Sequence, residues 1–169
     1  MTYTSAQANK LLKKLNDEHA ALLDKENRSK DFRAAMGEDV ESVRPVYDYA
    51  DTQKKLAELE QRIRKVKHAI NVFNATHVIP GFGMTIDEML VYIPQLTQRK
   101  NKLADMKARL PKQRVEEQYG RQSNIIDYSY ANYDLAAVET DYEKVSDELS
   151  RAQLALDAVN QRDTFELEE

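Results

Sequence analysis

Apolar residues recur along this chain at alternating steps of three and four, the period of helices that bury one side. The clearest run is Leu56, Leu59, Ile63, Val66, Ile70 and Phe73. It predicts a long helix with a narrow packing seam, close to coiled-coil spacing, that stops near Asn74. A second seam, Leu135, Val138, Tyr142, Val145, Leu149, Ala152, Leu156 and Val159, predicts a last helix from about Asn132 to Gln161. Near the start, Ala8, Leu12, Leu15, His19 and Leu22 form a stripe that Ser5 can cap and that fades after Leu23. Met89, Ile93, Leu96, Leu103, Met106 and Leu110 form the remaining stripe, closed by Pro111.

The segment from Ile70 to Leu110 organises the rest, because it ends one long helix, turns, and starts another. Thr85 and Glu88 make a T-x-x-E capping box, with Met84 and Met89 placed as a hydrophobic staple. Pro94 falls inside the stripe and predicts a kink there. Gly37 and Pro45 mark one long connection, and a tyrosine-bearing stretch around Gly120 marks the other. The chain therefore reads as two helical hairpins. The predicted fold is all-α, an antiparallel up-and-down bundle of about four long helices in a single domain, residues 1–169. The two halves also align. Asp48-Tyr49 precedes Leu56 by the same distance as Asp127-Tyr128 precedes Leu135, and an offset of 81 lays the first stripe over the third.

Composition supports this picture. Charged residues make up 32% of the chain against four glycines and four prolines, which favours helix over sheet. The net charge of -4 predicts solubility and points to no particular partner. With no cysteine, disulfides, thiolate nucleophiles and zinc–cysteine sites are excluded. The start of the chain lacks the apolar stretch of a signal peptide. The longest apolar run, Met89 to Ile93, is far below the roughly 18 residues or more that a membrane span needs. A bacterial-type cytoplasmic protein with no membrane span is the expectation, so the sequon Asn74-Ala75-Thr76 carries no weight.

Candidate chemistry is sparse. A di-iron bundle needs Glu-x-x-His, but Asn16, Lys65 and Asn74 stand three before His19, His68 and His77, so no metal or cofactor is expected. His19 on its stripe reads as a hydrogen-bonded core histidine, His68 as solvated, and His77 as alone in the central turn. Gly81, Gly83 and Thr85 precede a helix start, where backbone N–H groups and the helix dipole can hold an anion. The ordinary alternative is a glycine turn before a self-capped helix. Neither a P-loop nor a Rossmann fingerprint is present.

Basic residues gather at Lys54, Lys55, Arg62, Arg64, Lys65 and Lys67, and again at Arg99, Lys100, Lys102, Lys107, Arg109, Lys112 and Arg114. They offer a nucleic-acid face. Eleven acidic residues against three basic ones from Asp134 to Glu169 offer a simpler account, an acidic helix beside basic ones. Tyr47, Tyr49, Tyr119, Tyr128, Tyr130 and Tyr133 sit where the connections enter helices, and read either as an interface or as packing over bundle ends.

Ile70-Asn71-Val72-Phe73-Asn74-Ala75-Thr76, then Thr85-Ile86-Asp87-Glu88 and the closing Asn160 and Thr164-Phe165-Glu166-Leu167, resemble small bacterial helical proteins labelled septicolysin or septicolysin-like. The family's tryptophan near the end is absent here, and the first connection differs. The resemblance implies an all-helical protein that assembles into a ring-like homo-oligomer, a hexamer, with no assigned catalytic site. The family label implies a membrane-active toxin. Oxygen-labile cytolysins, however, resemble large β-rich pore formers with a Cys- and Trp-bearing loop, and this chain has neither residue. The expected role is non-enzymatic self-assembly, with nucleic-acid binding and membrane activity as the alternatives.

Overall fold

The computed structural model describes residues 1–115 and 126–167, and these are mostly helical. The chain divides into two compact units, Met1–His77 with Ala158–Glu169, and Val78–Asp157.

In the first unit a short strand, β1 (Thr2–Thr4), leads into α1 (Ser5–Ser29). A single helical turn, α2 (Val40–Val43), interrupts the connection before α3 (Tyr49–Thr76) returns alongside α1. In the second unit β2 (Val78–Ile79) and β3 (Met84–Thr85) form a tight hairpin that opens α4 (Ile86–Lys107). Strands β4 (Lys112–Arg114) and β5 (Tyr128–Tyr130) pair antiparallel, and α5 (Leu135–Arg162) follows. The closing strand β6 (Thr164–Glu166) pairs antiparallel with β1 in the first unit. These three strand pairs are additions to the helical pattern, since runs of two or three residues leave almost no period to read.

The cap of α1 is Thr4 and not Ser5. Thr4 Oγ1 accepts from the Gln7 N–H at 3.2 Å, and Gln7 Oε1 accepts from the Thr4 N–H at 3.0 Å. Pairing of Thr4 with Thr164 holds Thr4 in the extended geometry an N-cap needs, which leaves Ser5 buried as the first helical residue. The helix outlasts its apolar stripe and continues to Ser29. Glu26 explains this, because its Oε1 accepts from both Tyr47 Oη and Gln53 Nε2 at 2.7 Å. Polar clasps replace apolar contacts in the last turns.

Other boundaries shift for equally local reasons. α3 runs past Asn74 to Thr76, where the His77 N–H reaches Phe73 O at 2.9 Å. α5 begins at Leu135 because the Asp134 carboxylate takes the Ala136 N–H at 2.9 Å, so Asn132 stays outside. α4 stops at Lys107, so Leu110 lies beyond it and is exposed rather than on a stripe. Pro94 lies inside an unbroken α4. The carbonyl it leaves without a donor belongs to Leu90, a surface residue that water can reach.

The first unit's core is Ala8, Leu15, Val66, Ile70 and Leu167, flanked by half-buried Tyr3, Leu12, Leu59, Ile63 and Phe165. In the second unit Ile79, Ile86, Met89, Leu96, Val138, Val145, Leu149 and Ala152 are buried. α4 and α5 run antiparallel there. Tyr92 Oη donates to Glu148 Oε1 at 2.6 Å, and further along α4 Lys107 Nζ meets Glu139 Oε1 at 2.9 Å. The two units also start their long helices alike. Thr85 and Glu88 form a capping box behind β3 as Thr4 and Gln7 do behind β1, eighty-one residues earlier. Among the described residues no helix is long and apolar enough to cross a membrane.

Candidate functional site

The turn at Gly81–Thr85 is made by backbone geometry. Gly81 and Gly83 have φ of 83° and 65°, a region that L side chains avoid. The Phe82 N–H donates to Ile79 O at 3.3 Å, closing a turn with Pro80 and Gly81 at its centre, as a type II turn requires. A Cβ on either glycine would meet nothing within 4 Å, so conformation, and no ligand cradle, explains the glycines.

At the helix start an anion position exists, but the chain's own carboxylate fills it. Glu88 Oε2 accepts from the Thr85 N–H at 2.7 Å and from Thr85 Oγ1 at 3.1 Å, while Thr85 Oγ1 accepts from the Glu88 N–H at 3.2 Å. The backbone hydrogen bond from Thr85 holds the Glu88 carboxyl below its ordinary range. A free anion would have to displace a tethered one. That makes Gly81, Gly83 and Thr85 a capped turn first.

The tyrosines divide into three groups. Tyr47 lies over the α1–α3 hairpin, on a shallow cavity of about 170 Å³ shared with Leu22, Glu26, Asp48 and Lys55. That is well under the roughly 300 Å³ of the smallest usual ligand pockets. The hydrogen bond to Glu26 pushes the Tyr47 phenol up to about 12 from 10.0. Because the folded value is the higher one, the stabilisation is complete below pH 10 and is lost as pH rises from 10 towards 12. Phenolate absorbance should therefore show a late-titrating tyrosine that Tyr47→Phe removes. An unchanged titration curve in the variant would reject this assignment. Tyr49 is exposed, Tyr133 donates to Met106 O at 2.9 Å, and Tyr119 lies outside the described residues, as does Gly120.

Tyr128 and Tyr130 are different, because both project from the exposed ribbon β4–β5. Lys112 is opposite Tyr130, and Arg114 is opposite Tyr128. Alternation in a strand places all four on one face. Lys112 Nζ lies 4.1 Å from the Tyr128 ring centroid and 5.5 Å from that of Tyr130. Beside the ribbon is a cavity of about 210 Å³ lined by Met106, Arg109, Leu110, Tyr130 and Tyr133.

A crystal structure of a functionally unknown conserved protein from Corynebacterium diphtheriae matches this fold. The match covers 98% of this chain and 100% of that one, with a TM-score of 0.59 and 16% sequence identity. The likeness is one of fold. No family model matches the chain, and no curated protein does.

Two of the three histidines, His77 and His19, have partners that spacing alone did not disclose. His77 is not alone. Its Nε2 lies 2.6 Å from Asp163 Oδ2, and its ring stacks on Phe73, which stacks in turn on Phe165. His19, half-buried on its stripe, faces Glu60 at 3.3 Å, and His68 is exposed. Among the described residues no group of three or more His, Asp or Glu gathers as a metal site.

The seam residues separate by unit. Leu56, Val66 and Ile70 are buried and Leu59 and Ile63 half-buried in the first, whereas Val138, Val145 and Leu149 are buried and Leu135 and Tyr142 half-buried in the second. The basic run on α3 is solvent-facing throughout. On α4, Lys100 and Lys107 lie over the Tyr142 ring, and Lys107 pairs with Glu139, whose hydrogen bond raises the lysine pKa. Part of the basic face is thus spent on the acidic last helix. Lys112 and Arg114 form no ion pair with a carboxylate among the described residues. Sequence pattern does not mark the ribbon, since K-Q-R and Y-S-Y each alternate for only three residues.

Proposed function

We propose that this protein is a self-assembling helical subunit with a non-enzymatic role, working as a homo-oligomer. The observation that carries this reading is apolar surface in the second unit. Val78, Leu90, Val91 and Leu154 are large apolar side chains that stand exposed there, the last at 69%, and self-association would take such surface out of water.

The four-helix up-and-down arrangement belongs to the same proposal. Each antiparallel hairpin supplies two helices with one buried stripe apiece, which is half of a bundle layer. Resemblance to septicolysin-like proteins supplies the expected stoichiometry, a ring of six in the cytoplasm.

Light scattering after size-exclusion chromatography, at low and high salt, tests the proposal. A single species of about six chain masses at micromolar concentration is the expected result. A monomer at both salts and at the highest attainable concentration would overturn it.

A further inference from the structure

We propose that the copies join head to tail, the basic tyrosine ribbon β4–β5 of one chain docking on the acidic outer face of α5 of the next. This rests on the self-assembly reading above and names the surfaces that carry it.

The ribbon has the composition of an interface anchor. Tyr128, Tyr130, Lys112 and Arg114 share one exposed face, and a two-stranded ribbon standing alone is marginally stable in water. Tyrosine and arginine are the residue types that dominate contact energetics. The cavity beside Tyr130 gives an incoming side chain somewhere to enter.

The complementary surface is on the same unit. Asp147, Ser150, Leu154 and Asp157 recur at steps of three and four along α5, on the side away from buried Val145, Leu149, Ala152 and Leu156. Leu154 is 69% exposed in the middle of that face. Neighbouring charges already have local contacts. Glu139 pairs with Lys107, Glu148 accepts from Tyr92, Lys144 pairs with Asp141, and the Arg151 guanidinium lies over Phe82. Asp147 and Asp157 form no ion pair among the described residues, which leaves an apolar residue flanked by two uncommitted carboxylates.

Within one chain the ribbon stands apart from the Leu154–Asp157 part of this face. Tyr133 and Lys107 hold the ribbon end of the unit at the start of α5, near Glu139. Asp157 lies eighteen residues further along the same helix, a distance of about 27 Å at the helical rise. A patch at one end that fits a patch near the other is a heterologous contact, and such contacts close rings when the rotation permits. A second copy is favoured over a polyanion because the chain supplies the matching acidic face itself. Its net charge of -4 provides no long-range pull on nucleic acid.

Charge exchange tests the pairing. The variant Lys112→Glu/Arg114→Glu and the variant Asp147→Lys/Asp157→Lys should each weaken self-association at least about tenfold. All four residues are exposed, so circular dichroism should show unchanged helix content. Mixed in equal amounts, the two variants should regain the wild-type mass, since alternating copies restore both contacts in an even-membered ring. If a charge-reversed variant loses helix, Arg114→Gln with Asp157→Asn replaces it and should show the same weakening. Wild-type mass in either reversed variant, or no recovery on mixing, would overturn this interface while leaving self-assembly standing. A monomeric wild type would instead remove the self-assembly reading itself. Binding of a labelled single-stranded oligonucleotide that depends on Lys112 and Arg114, with mass unaffected by them, would reassign the ribbon to nucleic acid.

Discussion

Leu167→Ala is expected to destabilise the protein by about 2–5 kcal/mol, the range for deleting a fully buried leucine side chain. Position alone marks this residue as part of a short acidic tail. The structure makes it core, 1% exposed among Ala8, Leu15, Val66 and Ile70. Its N–H also donates to Met1 O at 2.9 Å, extending the β1–β6 pairing by one bond. The alanine keeps that bond and loses only the packing, so the measured loss reports on burial. Against a total of about 5–15 kcal/mol for a typical domain, a loss of this size is a large fraction. Denaturant unfolding should show a lower midpoint with a similar slope. An unchanged midpoint would mean that the end of the chain contributes nothing to the first unit.

That case shows where the sequence speaks and where it stops. The long helices were legible because each repeats its apolar spacing over several turns, and the seams Leu56–Ile70 and Val138–Leu149 lie where they bury surface. The Thr85–Glu88 capping box was legible because its chemistry is local, complete within four residues. The same box at Thr4 was missed by one position. Its local signal was present, since Gln7 stands three residues after Thr4 whereas Ala8 stands three after Ser5, and pairing with Thr164, far away in the chain, holds Thr4 extended.

The candidate sites follow the same division. Gly81 and Gly83 were readable as a turn, and the Glu88 carboxylate that fills the anion position was readable as a cap, but that these are one feature is a matter of geometry. His77 with Asp163, Glu26 with Tyr47, and Lys112 with Tyr128 are contacts between residues distant in sequence. Charge statistics described the basic run from Arg99 to Arg114 as a single face. Geometry divides it into lysines engaged with Tyr142 and Glu139 and a ribbon whose Lys112 and Arg114 form no ion pairs among the described residues.

The α1 stripe poses the sharpest version of this problem, because spacing ranks Leu15 and Leu22 as equals and leaves Leu23 next to them. Leu15→Ala should cost about 2–5 kcal/mol, since Leu15 is 2% exposed and its removal leaves a cavity against Val66 and Ile70. Leu23→Ala should fall within about 0.5 kcal/mol of wild type, because Leu23 is exposed on a helix whose last turns are held by Glu26. Both changes replace leucine by alanine in one helix, so propensity and unfolded-state effects largely cancel between them. The difference between their unfolding free energies then isolates burial. Equal losses at the two positions would show that the first unit's core does not lie where Ala8, Leu15 and Leu167 place it.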